Sequence, residues 1–82
     1  MAMKRQPKLI CMDGRDAKVL RQKLGLTQTD FWARVGSVQT AGSRYESGRD
    51  MPTQVAWVLH IAYGPPARVQ KLVDWLRQSK PD

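Results

Sequence analysis

The sequence predicts an all-α domain of five short helices. Apolar residues recur at steps of three and four in successive segments. Glycine or proline punctuates the chain between those segments. Strand-like patterning is nearly absent, with only residues 8–12 reading as extended. A chain of 82 residues has room for one domain. Its 41% hydrophobic and 26% charged residues are a globular composition rather than a disordered one.

Each element follows from local chemistry. Residues 1–12 read as a basic N-terminal arm (Lys4, Arg5, Lys8) ending in an apolar patch at 9–12, and residues 13–82 as the folded domain. The first helix opens after Asp13-Gly14 and ends at Gly25. Ala17, Leu20 and Leu24 form its stripe, leaving Lys18 and Arg21 on the exposed side. Thr27 reads as the N-cap of the second helix, with Asp30 three residues on. Phe31, Trp32 and Val35 face inward there, and Gly36 stops the helix. A third helix over about 39–47 turns Ala41, Gly42 and Tyr45 inward and stops at Gly48. Pro52 opens the fourth, whose stripe is Val55, Val58, Leu59 and Ala62, with His60 at the surface or half-buried. Gly64-Pro65 breaks it, and a fifth helix over 66–78 carries Val69, Leu72, Val73 and Leu76, with Trp75 beside them.

Charge narrows the partner. The net charge is +7 and the isoelectric point about 10.2, which points to a polyanion, nucleic acid before membrane. Residues 1–49 hold ten basic and four acidic side chains and residues 50–82 hold four and three, so the polyanion-facing surface belongs to the first half. The longest apolar candidate, 54–63, is too short to span a membrane, and no secretory signal is read at the N-terminus. The single cysteine, Cys11, fits a reducing cytoplasm, and with one histidine a zinc site of ordinary ligand count is excluded. No carboxylate pair, metal cluster or phosphate loop is present, so neither an enzyme nor a cofactor is expected.

Two short helices joined by a glycine turn in a basic domain describe a helix-turn-helix. Its second helix must stand proud of the domain to enter a major groove about 12 Å wide, braced by the first across the phosphate backbone. Leu24-Gly25-Leu26-Thr27-Gln28, then Phe31, Val35-Gly36, Ser43-Arg44-Tyr45-Glu46-Ser47-Gly48-Arg49 and Pro52 together resemble the lambda-repressor-like (Cro/Xre) family, ungapped over residues 20–52. The resemblance implies that Gln28 buttresses the recognition helix and donates to a phosphate. It places Val38, Gln39, Thr40, Ser43 and Arg44 at groove-facing positions and Arg49 near phosphate, and it makes Glu46 structural. The residue types suit those roles: Gln39 can pair with adenine and Arg44 with guanine O6 and N7, while Thr40 and Ser43 can bond phosphate or base edges. Gln39 and Thr40 also have a duller reading as caps of the third helix.

The chain departs from the pattern at Trp32, where the family usually has a small residue, and at Gly42, where it usually has Ile or Val. A volume-conserving exchange is expected, with the indole filling the space left at Gly42. A single module makes only about 600–1,000 Å² of DNA interface, so a homodimer on an inverted-repeat operator is expected. Val69, Leu72, Val73, Trp75 and Leu76 are the candidate dimer interface, and the apolar patch at 9–12 is the second candidate. The resemblance implies a cytoplasmic, autoregulatory transcriptional repressor acting on double-stranded DNA, of the phage and mobile-element type that includes autorepressors of anti-CRISPR operons. An antitoxin that binds a toxin protein and its own promoter is the alternative.

Overall fold

The computed structural model describes residues 5–78. Five helices follow one another: α1 (Gly14–Leu24), α2 (Gln28–Ala33), α3 (Gln39–Glu46), α4 (Thr53–Tyr63) and α5 (Pro66–Gln78). All regular structure among the described residues is helical. The fold is thus the expected all-α one, with α2 and α3 as a central helix-turn-helix.

Local signals set the boundaries. The Asp13 carboxylate caps α1 by accepting from the Asp16 N–H at 2.9 Å, and Asp16 in turn accepts from the Met12 N–H. The Thr27 hydroxyl caps α2 by accepting from the Asp30 N–H at 3.1 Å. Gly36, at φ 76°, lets the chain reverse after α2. There the Ser37 N–H bonds the Trp32 carbonyl and the Gly36 N–H bonds that of Ala33, the paired closure of a Schellman motif.

α3 packs against both α1 and α2, and α4 against α5. Two apolar clusters fill the interior. The larger joins Cys11, Ala17, Phe31, Trp32 and Leu59. Within it Phe31 stacks on Tyr63 with ring centroids 4.6 Å apart, and the Tyr63 hydroxyl donates to the Phe31 carbonyl. The smaller joins Leu9, Ala56 and Leu72, with Trp57, Trp75 and Leu76 packed on it.

Several sequence expectations are corrected. Leu24 is exposed, because α1 ends there and the chain turns at Gly25; Leu26 packs on the core instead. Val58 and Ala62 are exposed, and α4 buries Ala56, Leu59 and His60. α4 is apolar on every side, so its composition does not fix which side turns inward. His60 is fully buried: its Nδ1 accepts from the Ile10 N–H at 3.0 Å and its Nε2 donates to the Arg68 carbonyl at 3.1 Å. Two partners fitted to a neutral imidazole are what permit this burial. The segment read as an arm also contributes to the core. Leu9 and Cys11 are buried, Gln6 accepts from the Trp57 indole, and the Lys8 carbonyl accepts from Arg68. Lys4 lies outside the described residues, and Arg5 and Lys8 are exposed.

Candidate nucleic-acid interface

The surface of interest is the outer face of α3 and the groups that hold it. Val38 is the N-cap residue of α3 and makes no side-chain capping bond. Gln39 and Thr40 lie inside the helix and are therefore not its caps. Val38 is 70% exposed, Gln39, Thr40 and Arg44 are exposed, and Ser43 is half-buried. On the opposite side Gly42 and Glu46 are buried. Helical spacing thus gathers Gln39, Thr40, Ser43 and Arg44 on the side away from the core, and Val38 adds an exposed side chain at the cap. Arg49 is exposed in the loop after α3, where its N–H bonds the Arg44 carbonyl.

The inner side of α3 is set by Trp32 and Gly42. The indole is fully buried, and a methyl group at Gly42 would collide with its Cγ, Cδ1 and Nε1 atoms. The expected exchange of volume between α2 and α3 is present. A second close approach occurs at Gly14, where a side chain would strike the backbone carbonyl of Tyr45. α1 and α3 therefore meet backbone to backbone at that point.

Glu46 fixes the other end. Its Oε1 accepts from Arg21 Nη2 at 2.9 Å and from Gln28 Nε2 at 3.2 Å. Its Oε2 accepts from Arg21 Nε at 2.9 Å and from Trp32 Nε1 at 2.8 Å. Four N–H donors from α1 and α2 thus converge on one carboxylate of α3. Burial by itself would raise this carboxyl, but the donors from Arg21, Trp32 and Gln28, with the arginine charge, hold it below its usual value of 4.5. Arg21 also donates to the Leu26 carbonyl at 3.0 Å. The expectation that Arg21 merely decorates the exposed side of α1 is corrected. Its partner lies twenty-five residues away, and no local pattern announces the pair.

The network reaches the outer face through Gln28. A carboxylate only accepts, so Gln28 must present its NH2 to Glu46, which leaves its carbonyl oxygen free. That oxygen accepts from Gln39 Nε2 at 2.9 Å. Gln39 then keeps one N–H and its own amide oxygen for an external partner. Gln28 and Gln39 are thereby oriented by a chain of bonds running from the interior.

The predicted dimer residues are placed differently. Leu72 is fully buried in the smaller cluster, with Trp75 and Leu76 packed around it. Val69 and Val73 are half-buried, and Trp75 meets Trp57 edge to face at 6.3 Å. Of the 9–12 patch, only Met12 is exposed. Burial, with Asp16 and Asp13 nearby, pushes the Cys11 thiol up to about 11, so it is an inert core group at neutral pH. Among the described residues no group of three His, Cys, Asp or Glu is arranged to hold a metal ion, and no helix is long and apolar enough to cross a membrane.

The RsaL-like HTH domain matches residues 18–62, from within α1 into α4. This chain belongs to the RsaL-like helix-turn-helix family. The match covers more than half of the RsaL-like chain and contains the whole of α2, the turn and α3. It shows a helix-turn-helix family without singling out the Cro/Xre branch. No curated protein and no solved structure matches the chain.

Proposed function

We propose that this RsaL-like domain is a sequence-specific, double-stranded-DNA-binding transcriptional repressor. The observation that carries the reading is the outer face of α3. Five side chains of hydrogen-bonding or methyl-contacting type stand away from the core, on a helix anchored from behind by Trp32 and Glu46. The reading follows the contact scheme of the Cro/Xre regulators that the sequence resembles.

In this scheme α3 lies in the major groove. Gln39 offers adenine the donor–acceptor pair that its bond to Gln28 leaves available, and Arg44 forks onto guanine. Val38 contacts a thymine methyl, while Thr40 and Ser43 reach base edges or phosphate. Gln28 and Arg49 add phosphate contacts that fix the register. Binding alone then represses, by covering promoter DNA. The protein acts as a homodimer on an inverted-repeat operator, in the cytoplasm, and at its own promoter, as small phage and mobile-element regulators do. Neither catalysis nor a cofactor enters.

Selection of bound sites from random duplex DNA at about 0.15 M salt tests this, because nonspecific contacts are weakened there. Enrichment of an inverted repeat with fixed half-site spacing supports the reading. Binding without enrichment overturns sequence specificity and leaves a nonspecific binder, or an antitoxin that reads DNA only with its partner.

A further inference from the structure

α4 is the only one of the five helices without an Asp, Glu, Lys or Arg. Its inner side, Ala56, Leu59 and His60, is buried. Its outer side is also largely apolar. Val58 is 40% and Ile61 44% exposed, and Ala62 and Gln54 are exposed beside them. Gln54, Val58 and Ile61 stand at i, i+4 and i+7, which makes one continuous neutral stripe. A helix apolar all round belongs in an interior, yet one side of α4 faces solvent.

Charge selects what covers it. A two-fold contact sets a surface against itself, so any net charge on that surface repels its own copy. In a chain of +7, the two other long helices are barred on this ground. The exposed side of α1 carries Arg15, Lys18 and Lys23 against Asp16, and that of α5 carries Arg68, Lys71 and Arg77 against Asp74. The outer stripe of α4 carries none. α5 is further disqualified as the centre of a contact because Leu72 is already spent within its own chain.

We infer that the outer stripe of α4, centred on Val58 and Ile61, is the surface on which a second copy of this chain docks. The two α4 helices cross about a two-fold axis, each apolar stripe covering the other, while the basic faces of α1 and α5 stay in solvent. α3 is joined to α4 by a loop of six residues, 47–52, so the contact also sets the distance between the two recognition helices. This rests on the homodimer part of the function proposed above and puts α4 in the place of the α5 interface expected from the sequence.

Sedimentation equilibrium without DNA, from about 1 µM to about 1 mM, tests it. The full chain should pass from monomer to dimer across that range. The double substitution Val58→Glu and Ile61→Glu sets like charges against each other across the contact and should weaken association at least about 100-fold. Both positions are exposed, so the far-ultraviolet circular dichroism and melting temperature should change little. Separately, Val58→Cys should give a covalent dimer on mild oxidation, since Cys11 is buried. A chain that dimerises equally well with both glutamates overturns the α4 surface and leaves the homodimer standing. A chain that stays monomeric throughout overturns both, and leaves DNA recognition by α3 to be judged separately.

Discussion

One carboxylate and one indole hold α3. Glu46 binds four donors and Trp32 supplies one of them, while the same indole fills the space at Gly42. Trp32→Ala removes both functions. It should cost about 3–5 kcal/mol, comparable with the whole stability of so small a domain, and leave the chain unfolded by circular dichroism. Gly42→Ala raises helix propensity by up to about 1 kcal/mol, yet it should destabilise by about 1–3 kcal/mol because the new methyl meets the indole. Urea midpoints check this, and the pair should be strongly non-additive with Trp32→Phe. Glu46 also carries a pH dependence. Its folded pKa is depressed, so its contribution is present above the usual value of 4.5 and is lost as pH falls through the folded value. Glu46→Gln should be about 3 kcal/mol less stable than the native chain at pH 7, with the gap narrowing as pH falls below 4.5. A gap that stays constant in urea titrations run at successively lower pH would contradict this. The Trp32–Gly42 pairing was legible, because a large and a small residue exchange places on facing helices. The Arg21–Glu46 pair was not, since only the fold brings the two together.

At the scale of elements, α1 and α3 touch where Gly14 admits no side chain. Gly14→Ala should cost at least about 1–3 kcal/mol, since the obstacle is the Tyr45 backbone and cannot swing aside. A melting temperature unchanged by that substitution would show that the two helices are not held so close. Helix ends were legible wherever Gly, Pro or a capping side chain marked them, as at Thr27, Gly36 and Gly48. The inward side of α4 was not, because Val55, Val58, Leu59 and Ile61 offer apolar residues in every direction. His60 orients the helix through bonds to Ile10 and Arg68, partners fifty and eight residues away. Residues 6–12 lack helical periodicity and so read as an arm. The alternation of buried Leu9 and Cys11 is the trace of their packing against the core.

Across the whole molecule, the proposed function has charge supply affinity and α3 supply choice. Binding should weaken linearly in log salt as released counterions compete. Arg49→Ala should lower the slope of log affinity against log salt by about one and weaken matched and scrambled duplexes alike, measured by anisotropy over a salt series. The outward residues of α3 were legible because helical spacing alone separates them from Gly42 and Glu46. The wiring of Gln39 through Gln28 to Glu46 was legible only in part, since the resemblance implies that Gln28 braces α3 but gives no sign that a carboxylate orients it.

The most direct measurement compares the native chain with Gln39→Ala and Arg44→Ala on a selected operator and a scrambled duplex at about 0.15 M salt. The native chain should favour the operator by at least about 10³-fold. Each substitution should remove about 1–3 kcal/mol of that preference while leaving the fold and Glu46 network intact. Equal affinity of the native chain for both duplexes, or a preference untouched by either substitution, would contradict recognition by α3.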